Sequence, residues 1–376
     1  MEPLIAREAF DATTFNDALF LETFASMRQL KPSALRFYAD GCLSPKHAQA
    51  LLNEYPKSGE SLQDWLKRSL NCEKFGVVIN GVEKISDRLG RWASSLLDPI
   101  VKILGPQQTF LEIIIFAGNY GYTPFGIHID DPYSSVLHFH VGPGRKTMTM
   151  FTREQFRELH PSSDTCFEPE RLAPNGQPYE MATGDVFLQP PHYYHIGFTP
   201  DFSLDVTVGV SKMTPSKITR FILSRAIGAE WMDADLPDLL SRARSYGNGE
   251  TTLEEWIRRN AEEYEASSLS SGRLRNNYLC RHDVSLTSET VVRLDSAFSL
   301  SVLSRKDELL VFVRGNAIRL KATVHLERLL SVLIEKRVVT ANELHNAVSG
   351  KISVPAIIKL LSTIARFGGL GASLPV

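Results

Sequence analysis

The sequence predicts an α+β protein in which a β-sandwich or barrel fills the middle of the chain and helical segments flank it on both sides. Three observations carry this. Between residues 106 and 214, β-branched and aromatic runs are punctuated by Gly, Pro and Asn turns, the pattern of many short strands. Before that stretch, apolar residues recur at helical spacing with few glycines or prolines. After it, a charged helical stretch gives way to short strands and then to three short helical periods. At 376 residues the chain exceeds what a single hydrophobic core usually supports, so one central domain with additions is expected.

In the N-terminal part, residues 1–105, Ser44–Tyr55 places Ala48, Leu51 and Leu52 on one side of a helix, and Ile85–Leu104 carries a second apolar stripe. This part reads as mostly helical. The core, residues 106–214, opens with Thr109–Ala117, a β-branched and aromatic run. Val136–Val141 and Thr147–Phe151 alternate, Asp185–Leu188 follows a turn at Gly184, and Ser203–Ser211 sets Leu204, Val206, Val208 and Val210 against Asp205, Thr207 and Gly209. Residues 215–280 are helical and charged. Thr252 and Glu255 form a capping box ahead of Trp256, and the serines of Ser267–Ser271 read as a linker. In residues 281–376, strands return with a hairpin around Arg314-Gly315-Asn316. Three helices follow, Leu326–Lys336, Thr340–Val348 and Val354–Phe367, with Thr340 and Glu343 capping the second and Pro355 in the first turn of the third. Strands followed by three short helices suggest a winged-helix-like module.

Composition narrows the function. Hydrophobic content of 43%, charged content of 22% and a net charge of -2 describe an ordinary globular chain and give no electrostatic case for nucleic acid or an anionic membrane. The last helix of the winged-helix-like module is strongly apolar, with Lys359 and Arg366 as its only cations, which suits packing or substrate docking better than reading DNA. Cys42, Cys72, Cys166 and Cys280 are scattered without a CxxC, so neither a disulfide framework nor a zinc knuckle is expected. The acidic N-terminus lacks the apolar region of a signal peptide, and no apolar run reaches membrane-spanning length, which makes a reducing, cytoplasmic setting the default.

The chemistry gathers at His128-Ile129-Asp130. On a strand, residues i and i+2 point the same way, so both side chains can reach one ion. Asp131 would point to the opposite face. A third ligand must come from elsewhere, and His195 is the best candidate: the turn at Gly184-Asp185, a strand and the Pro190-Pro191 corner deliver it to the barrel mouth. Two imidazoles and one carboxylate on one side of an ion leave positions open for oxygen and a cosubstrate, the facial triad of non-haem Fe(II) oxygenases. An H-x-D alone is a weak signal; the downstream G-D…P-P…H and the strand-rich context strengthen it.

The stretches Gly121–Phe151 and Gly184–Ser211 resemble the JmjC-type cupin oxygenases, and most of all their ribosomal-oxygenase branch. The matching pieces are His128/Asp130, Gly142-Pro143-Gly144-Arg145-Lys146, and Gly184/Asp185…Pro190/Pro191…His195. The resemblance implies a double-stranded β-helix (cupin or jelly-roll) core, a helical dimerisation region over 215–280 and a winged helix over 281–376. It also implies Fe(II) and 2-oxoglutarate as cofactors, and a homodimer that hydroxylates a protein or peptide, ribosomal proteins being the notable case. Lys146 falls where such enzymes hold the distal carboxylate of 2-oxoglutarate, a task that needs a cation in a dry pocket; the alternative is a solvated strand charge. Arg145, the adjacent candidate, points to the opposite face. Asp205 and Thr207 resemble polar positions lining the cosubstrate site, and equally fit a polar outer strand face.

Several residues depart from the pattern. His138-Phe139-His140 is an H-x-H, the metal pair of simpler cupins, but no Glu follows it before Arg153. The resemblance turns Leu137 and Phe139 toward the pocket, which leaves His138 and His140 structural or substrate-contacting. His192 reads as a rim residue. Tyr120, Tyr122, Tyr193 and Tyr194 either wall a substrate groove or simply pack. Two further functions stay open beside the protein hydroxylase: an oxygenase of a small molecule in a biosynthetic pathway, and a catalytically silent cupin scaffold.

Overall fold

This computed structural model of the chain describes residues 1–105, 109–219, 253–281 and 284–373. It divides into two compact units, one of residues 1–96 and 110–212 and one of residues 97–109 and 213–376.

The first unit is built on two antiparallel sheets. The larger contains β1 (Leu4–Ala6), β2 (Leu35–Ala39), β3 (Cys42–Leu43), β4 (Phe75–Asn80), β5 (Thr109–Gly118), β8 (Ser134–Pro143), β11 (Val186–Gln189) and β13 (Ser203–Lys212), in the order β1-β11-β8-β13-β5-β4-β2-β3. The smaller contains β6 (Gly121–Tyr122), β7 (His128–Ile129), β9 (Lys146–Phe151), β10 (Gln177–Met181) and β12 (Tyr194–Thr199), in the order β10-β9-β12-β6, with β7 also paired to β12. From β5 onward the chain passes back and forth between the sheets, so residues distant in sequence come to face one another across the space between them.

The expected strands from Thr109 onward all form. β5 shows why: it pairs with β4 and β13 on its two sides and its apolar run is buried along most of its length. The N-terminal part differs from the helical expectation by supplying β1 to β4, all in the larger sheet. Phe75-Gly76-Val77-Val78-Ile79 is too short and too uniformly apolar for periodicity to separate a strand from a buried helix. The expected helices are present as Pro45–Asn53 and Asp87–Leu104.

One face of β8 runs opposite to expectation. Val136 and His138 line the cavity between the sheets, while Phe139 packs edge-on against Trp92 and Phe10, with ring centroids 4.7 and 5.5 Å apart. The outer face of this sheet is covered by the helix that carries Trp92 and by the N-terminal segment, so the aromatic Phe139 packs there and His138 is left to the cavity. Aromatic pairs of this kind add about 0.5–1.5 kcal/mol each beyond their area burial.

In the second unit, the helix Leu253–Ser270 accompanies two three-stranded sheets, one of β14 (Val291–Leu294), β18 (Val338–Val339) and β19 (Leu370–Ser373), the other of β15 (Ser301–Ser304), β16 (Glu308–Val313) and β17 (Asn316–Lys321). The hairpin is where the sequence places it: Val313 pairs Asn316, and Arg314 and Gly315 take positive φ of 47° and 82°, the two-residue turn that matches strand twist. Helices Val324–Lys336, Ala341–Ala347 and Val354–Arg366 follow, packed through Leu329, Leu333, Leu344, Ile357, Leu361 and Ile364. The Thr340–Glu343 capping box is complete. Thr252 of the expected Thr252–Glu255 capping box, and half of the helical region expected over 215–280, lie outside the described residues.

Ser267–Ser271 is not a linker. It ends the helix Leu253–Ser270, and Ser267, Ser268, Ser270 and Ser271 are buried. Ser267 Oγ donates to the Gly315 carbonyl and Ser270 Oγ accepts from the Gly315 amide, each at 2.9 Å, so two hydroxyls satisfy the backbone of the hairpin turn. Among the described residues, no helix is long and apolar enough to cross a membrane.

Candidate metal centre

The smaller sheet assembles the site. β7 and β12 run antiparallel in a register that sets His128 directly opposite His195. Cross-strand partners share a face and lie close together, so the two imidazoles meet with ring centroids 4.4 Å apart, tilted at 53°. Asp130 follows β7 immediately and turns its carboxylate to both: Oδ1 lies 3.6 Å from His128 Nε2 and Oδ2 lies 3.8 Å from His195 Nε2. One ligand atom from each residue falls within 4.8 Å of the others, and this is the one such His/Cys/Asp/Glu cluster among the described residues.

The ligands are oriented from behind. His128 Nδ1 bonds the Gly126 carbonyl at 3.0 Å and therefore carries the proton, which leaves Nε2 with a free lone pair toward the centre. Gln189 Nε2 donates to Asp130 Oδ2 at 2.8 Å. His195 is buried, and burial together with the neighbouring His128 pushes its pKa down to about 3, so the ring is neutral as metal ligation requires. Two neutral imidazole nitrogens and a carboxylate are a donor set that fits a divalent first-row ion with open positions left over.

From this cluster a cavity of about 250 Å³ runs between the sheets. His128, Asp130 and His195 line one part of it, and Lys146, Thr207, Phe116 and Thr123 are also in its wall. Lys146 is 3% exposed, with its ammonium 5.0 Å from the Phe116 ring centroid and donating to Asp205. Asp205 is fully buried at a register shift between Leu204 and Asp205 in β13. Burial alone would raise its pKa, but Lys146 and His138 beside it hold the carboxyl well below its ordinary value. Thr207 Oγ1 donates to the Ile114 carbonyl at 2.9 Å.

Of the residues singled out in the sequence, His128, Asp130, His195, Lys146 and Thr207 meet at one cavity, with Asp205 against Lys146. Arg145 does not join them. It is 75% exposed in its side chain and pairs with Glu180 on the outer surface, because adjacent strand residues point to opposite faces. Tyr194 is buried, stacked on Phe156 at 3.8 Å, and Tyr120 is buried as well, so both pack rather than wall a groove. His192 lines a separate open groove with Tyr193, Pro132 and Arg153. Two participants escaped the sequence reading. Gln189 is one, although its i+2 spacing from Phe187 was a usable sign that it faces inward. His138 is the other as a cavity residue, bonded to Gln189 at 3.2 Å and to Asp205 at 2.9 Å.

Neither a protein-family model nor a curated protein matches the chain. Solved structures do. The X-ray structure of E. coli ycfD aligns at a TM-score of 0.50 and 15% identity, covering 99% of this chain and 95% of that one. A structure of YcfD described as a ribosomal oxygenase from E. coli, in complex with cobalt and succinic acid, aligns at 0.48 and 14% over the same shares. Another, with cobalt and 2-oxoglutarate, aligns at 0.46 and 15%, again over 99% and 95%. At this identity the likeness to E. coli YcfD is one of fold alone.

Proposed function

We propose that the chain is an Fe(II)- and 2-oxoglutarate-dependent oxygenase that hydroxylates a side chain of a protein or peptide in the cytoplasm. The observation that carries this is the meeting, in one cavity, of the His128–Asp130–His195 cluster and the buried ammonium of Lys146. A metal triad alone fits many reactions; a cation in the same enclosed space adds a partner for an anionic cosubstrate. The two sheets are read as a double-stranded β-helix of the JmjC type. YcfD, which shares the fold, is described as a ribosomal oxygenase and is held with cobalt and 2-oxoglutarate; a ribosomal protein is accordingly the first substrate to try.

In this reading His128 Nε2, His195 Nε2 and an Asp130 oxygen hold the iron, and Lys146 holds the distal carboxylate of 2-oxoglutarate. Bound iron and 2-oxoglutarate supply the oxidation, in which O₂ and 2-oxoglutarate become succinate and CO₂ as a substrate C–H becomes C–OH. The protein does the rest. Gln189 steadies Asp130, the Gly126 carbonyl fixes the His128 tautomer, and the apolar walls from Ile114, Phe116, Val136 and Met148 keep water from the reacting atoms. Thr207 completes the cavity wall near Lys146.

The cavity volume of about 250 Å³ lies below the usual range of about 300–1,000 Å³ for small-molecule pockets. A cosubstrate and one side chain are a better fit than a cosubstrate and a whole second molecule, which favours a polypeptide substrate over a small-molecule one. The intact triad and lysine argue against a silent scaffold. The β14–β18–β19 sheet with its three helices is read as the winged-helix-like module, and the helical region before it as a dimerisation element.

The test is succinate formation from 2-oxoglutarate with Fe(II) and O₂, with and without ribosomal proteins, beside His128→Ala. Turnover abolished by the substitution, with one oxygen atom added to a protein by mass spectrometry, is the expected result. Absence of Fe(II) binding and of 2-oxoglutarate binding would overturn the reading.

A further inference from the structure

The wall of the cavity holds more charge than the oxygenase reading uses. Asp130, Gln189, His138, Asp205 and Lys146 form an unbroken hydrogen-bonded chain from the metal cluster to the lysine. Its donors and acceptors can be assigned link by link. The Asp130 carboxylate only accepts, so the group 2.8 Å from it is the Gln189 NH₂. That turns the Gln189 amide oxygen to His138 Nε2 at 3.2 Å, and an amide oxygen also only accepts, so Nε2 carries a proton. On the other side of the ring, Asp205 Oδ2 lies 2.9 Å from His138 Nδ1. Asp205 is an ionised acceptor, so Nδ1 carries a proton too. Both ring nitrogens of His138, which is 5% exposed, therefore face groups that only accept, an arrangement that suits a doubly protonated ring.

The charge count then changes. Lys146 is paired with Asp205, and a carboxylate entering beside that neutral pair would be a buried charge without compensation, which is costly. A second cation on the same Asp205 leaves the cluster with one net positive charge, which an incoming carboxylate neutralises. His140, the other titratable group facing Asp205, keeps its Nδ1 3.8 Å from Oδ1, beyond hydrogen-bonding distance, while its Nε2 donates to the Gly144 carbonyl at 2.7 Å.

We propose that His138 is a positioning residue, held as an imidazolium between Gln189 and Asp205, that gives the Lys146–Asp205 pair its capacity for the distal carboxylate of a dicarboxylic 2-oxoacid while holding Gln189 against Asp130. The proposal rests on the oxygenase reading for the identity of the ligand, and goes beyond it in assigning the anion site to a triad rather than to Lys146.

Two measurements on the Zn(II)-substituted protein test it. The first is ¹⁵N NMR of histidine-labelled protein at neutral pH, with the His138 signals assigned by their loss in His138→Gln. Both ring nitrogens in the imidazolium range are expected; a neutral tautomer overturns the proposal. The second is calorimetric binding of 2-oxoglutarate and of 2-oxobutanoate, which lacks the distal carboxylate. His138→Gln weakens 2-oxoglutarate at least about tenfold and leaves 2-oxobutanoate within about twofold. The double variant His138→Gln/Asp205→Asn, in which Lys146 regains its net charge, recovers much of the lost 2-oxoglutarate affinity. Equal losses for both acids, or no recovery in the double variant, reduce His138 to a packing role and overturn the proposal. A neutral His138 with 2-oxoglutarate binding intact sinks this inference alone; a wild-type protein that binds Zn(II) but neither acid sinks the oxygenase reading with it.

Discussion

Single residues pin the turns of the first unit, and Asp185 shows how. It sits in the turn before β11 and accepts from the backbone amides of Ala182 and Glu8, at 2.9 and 3.0 Å, and from Arg7. Burial would raise its pKa; the two amides and then Arg7 outweigh it and keep the carboxyl below its ordinary value of 3.8. A carboxylate depressed in the folded state contributes stability that is present above its unfolded pKa and is lost as pH falls through the folded one. Asp185→Asn removes that contribution. Its denaturation midpoint is expected to lie below wild type at pH 7 and to converge on it as pH falls below about 4. Curves that stay parallel to pH 2 would sink the assignment. The metal ligands were legible at the same scale, since i and i+2 on a strand need no tertiary information. His138 was not. Alternation says that His138 and Phe139 face opposite ways and cannot say which of them faces the cavity, because here both faces of the strand are covered.

Short elements rather than long ones bring the ligands together. β7 has two residues, and it is held by its register with β12 and by the bridge from Ile127 to Cys166. Gly126, just before it, has a φ of 74°, and a Cβ there would lie 2.5 Å from the Cys166 carbonyl oxygen. Gly126→Ala must move this segment and the Gly126 carbonyl that orients His128, so metal affinity is expected to fall about 10- to 100-fold, the usual cost of losing an outer-shell partner. A Zn(II) titration unchanged from wild type would contradict the role given to β7. The β-rich middle of the chain and the hairpin at Arg314-Gly315 were readable from propensity and turn chemistry. β4 was hidden among helices, because a short uniformly apolar run has no period. Ser267–Ser271 misled for a related reason: serines mark loops only where water satisfies them, and these bond the backbone of a hairpin that lies more than 40 residues further on.

For the molecule as a whole, the metal is expected to act as a stabilising ligand, because the three donors converge only in the folded chain. Zn(II) at 100 times its Kd should raise the unfolding free energy by about 2.7 kcal/mol. The same concentration should leave His195→Ala almost unmoved; equal stabilisation of the two proteins would place the ion elsewhere. The broad α+β order of the chain, its β-rich middle and the residue types of its metal triad were all present in local pattern, since strand alternation, turn residues and ligand spacing are properties of neighbours in sequence. Which face of β8 lines the cavity, that Arg145 stands outside it, and that Asp130 and Lys146 are joined through Gln189, His138 and Asp205 were decided by tertiary structure. Those facts depend on which strands lie side by side and on what covers each sheet, and that is set by pairings between residues as much as 184 positions apart, Leu4 with Leu188.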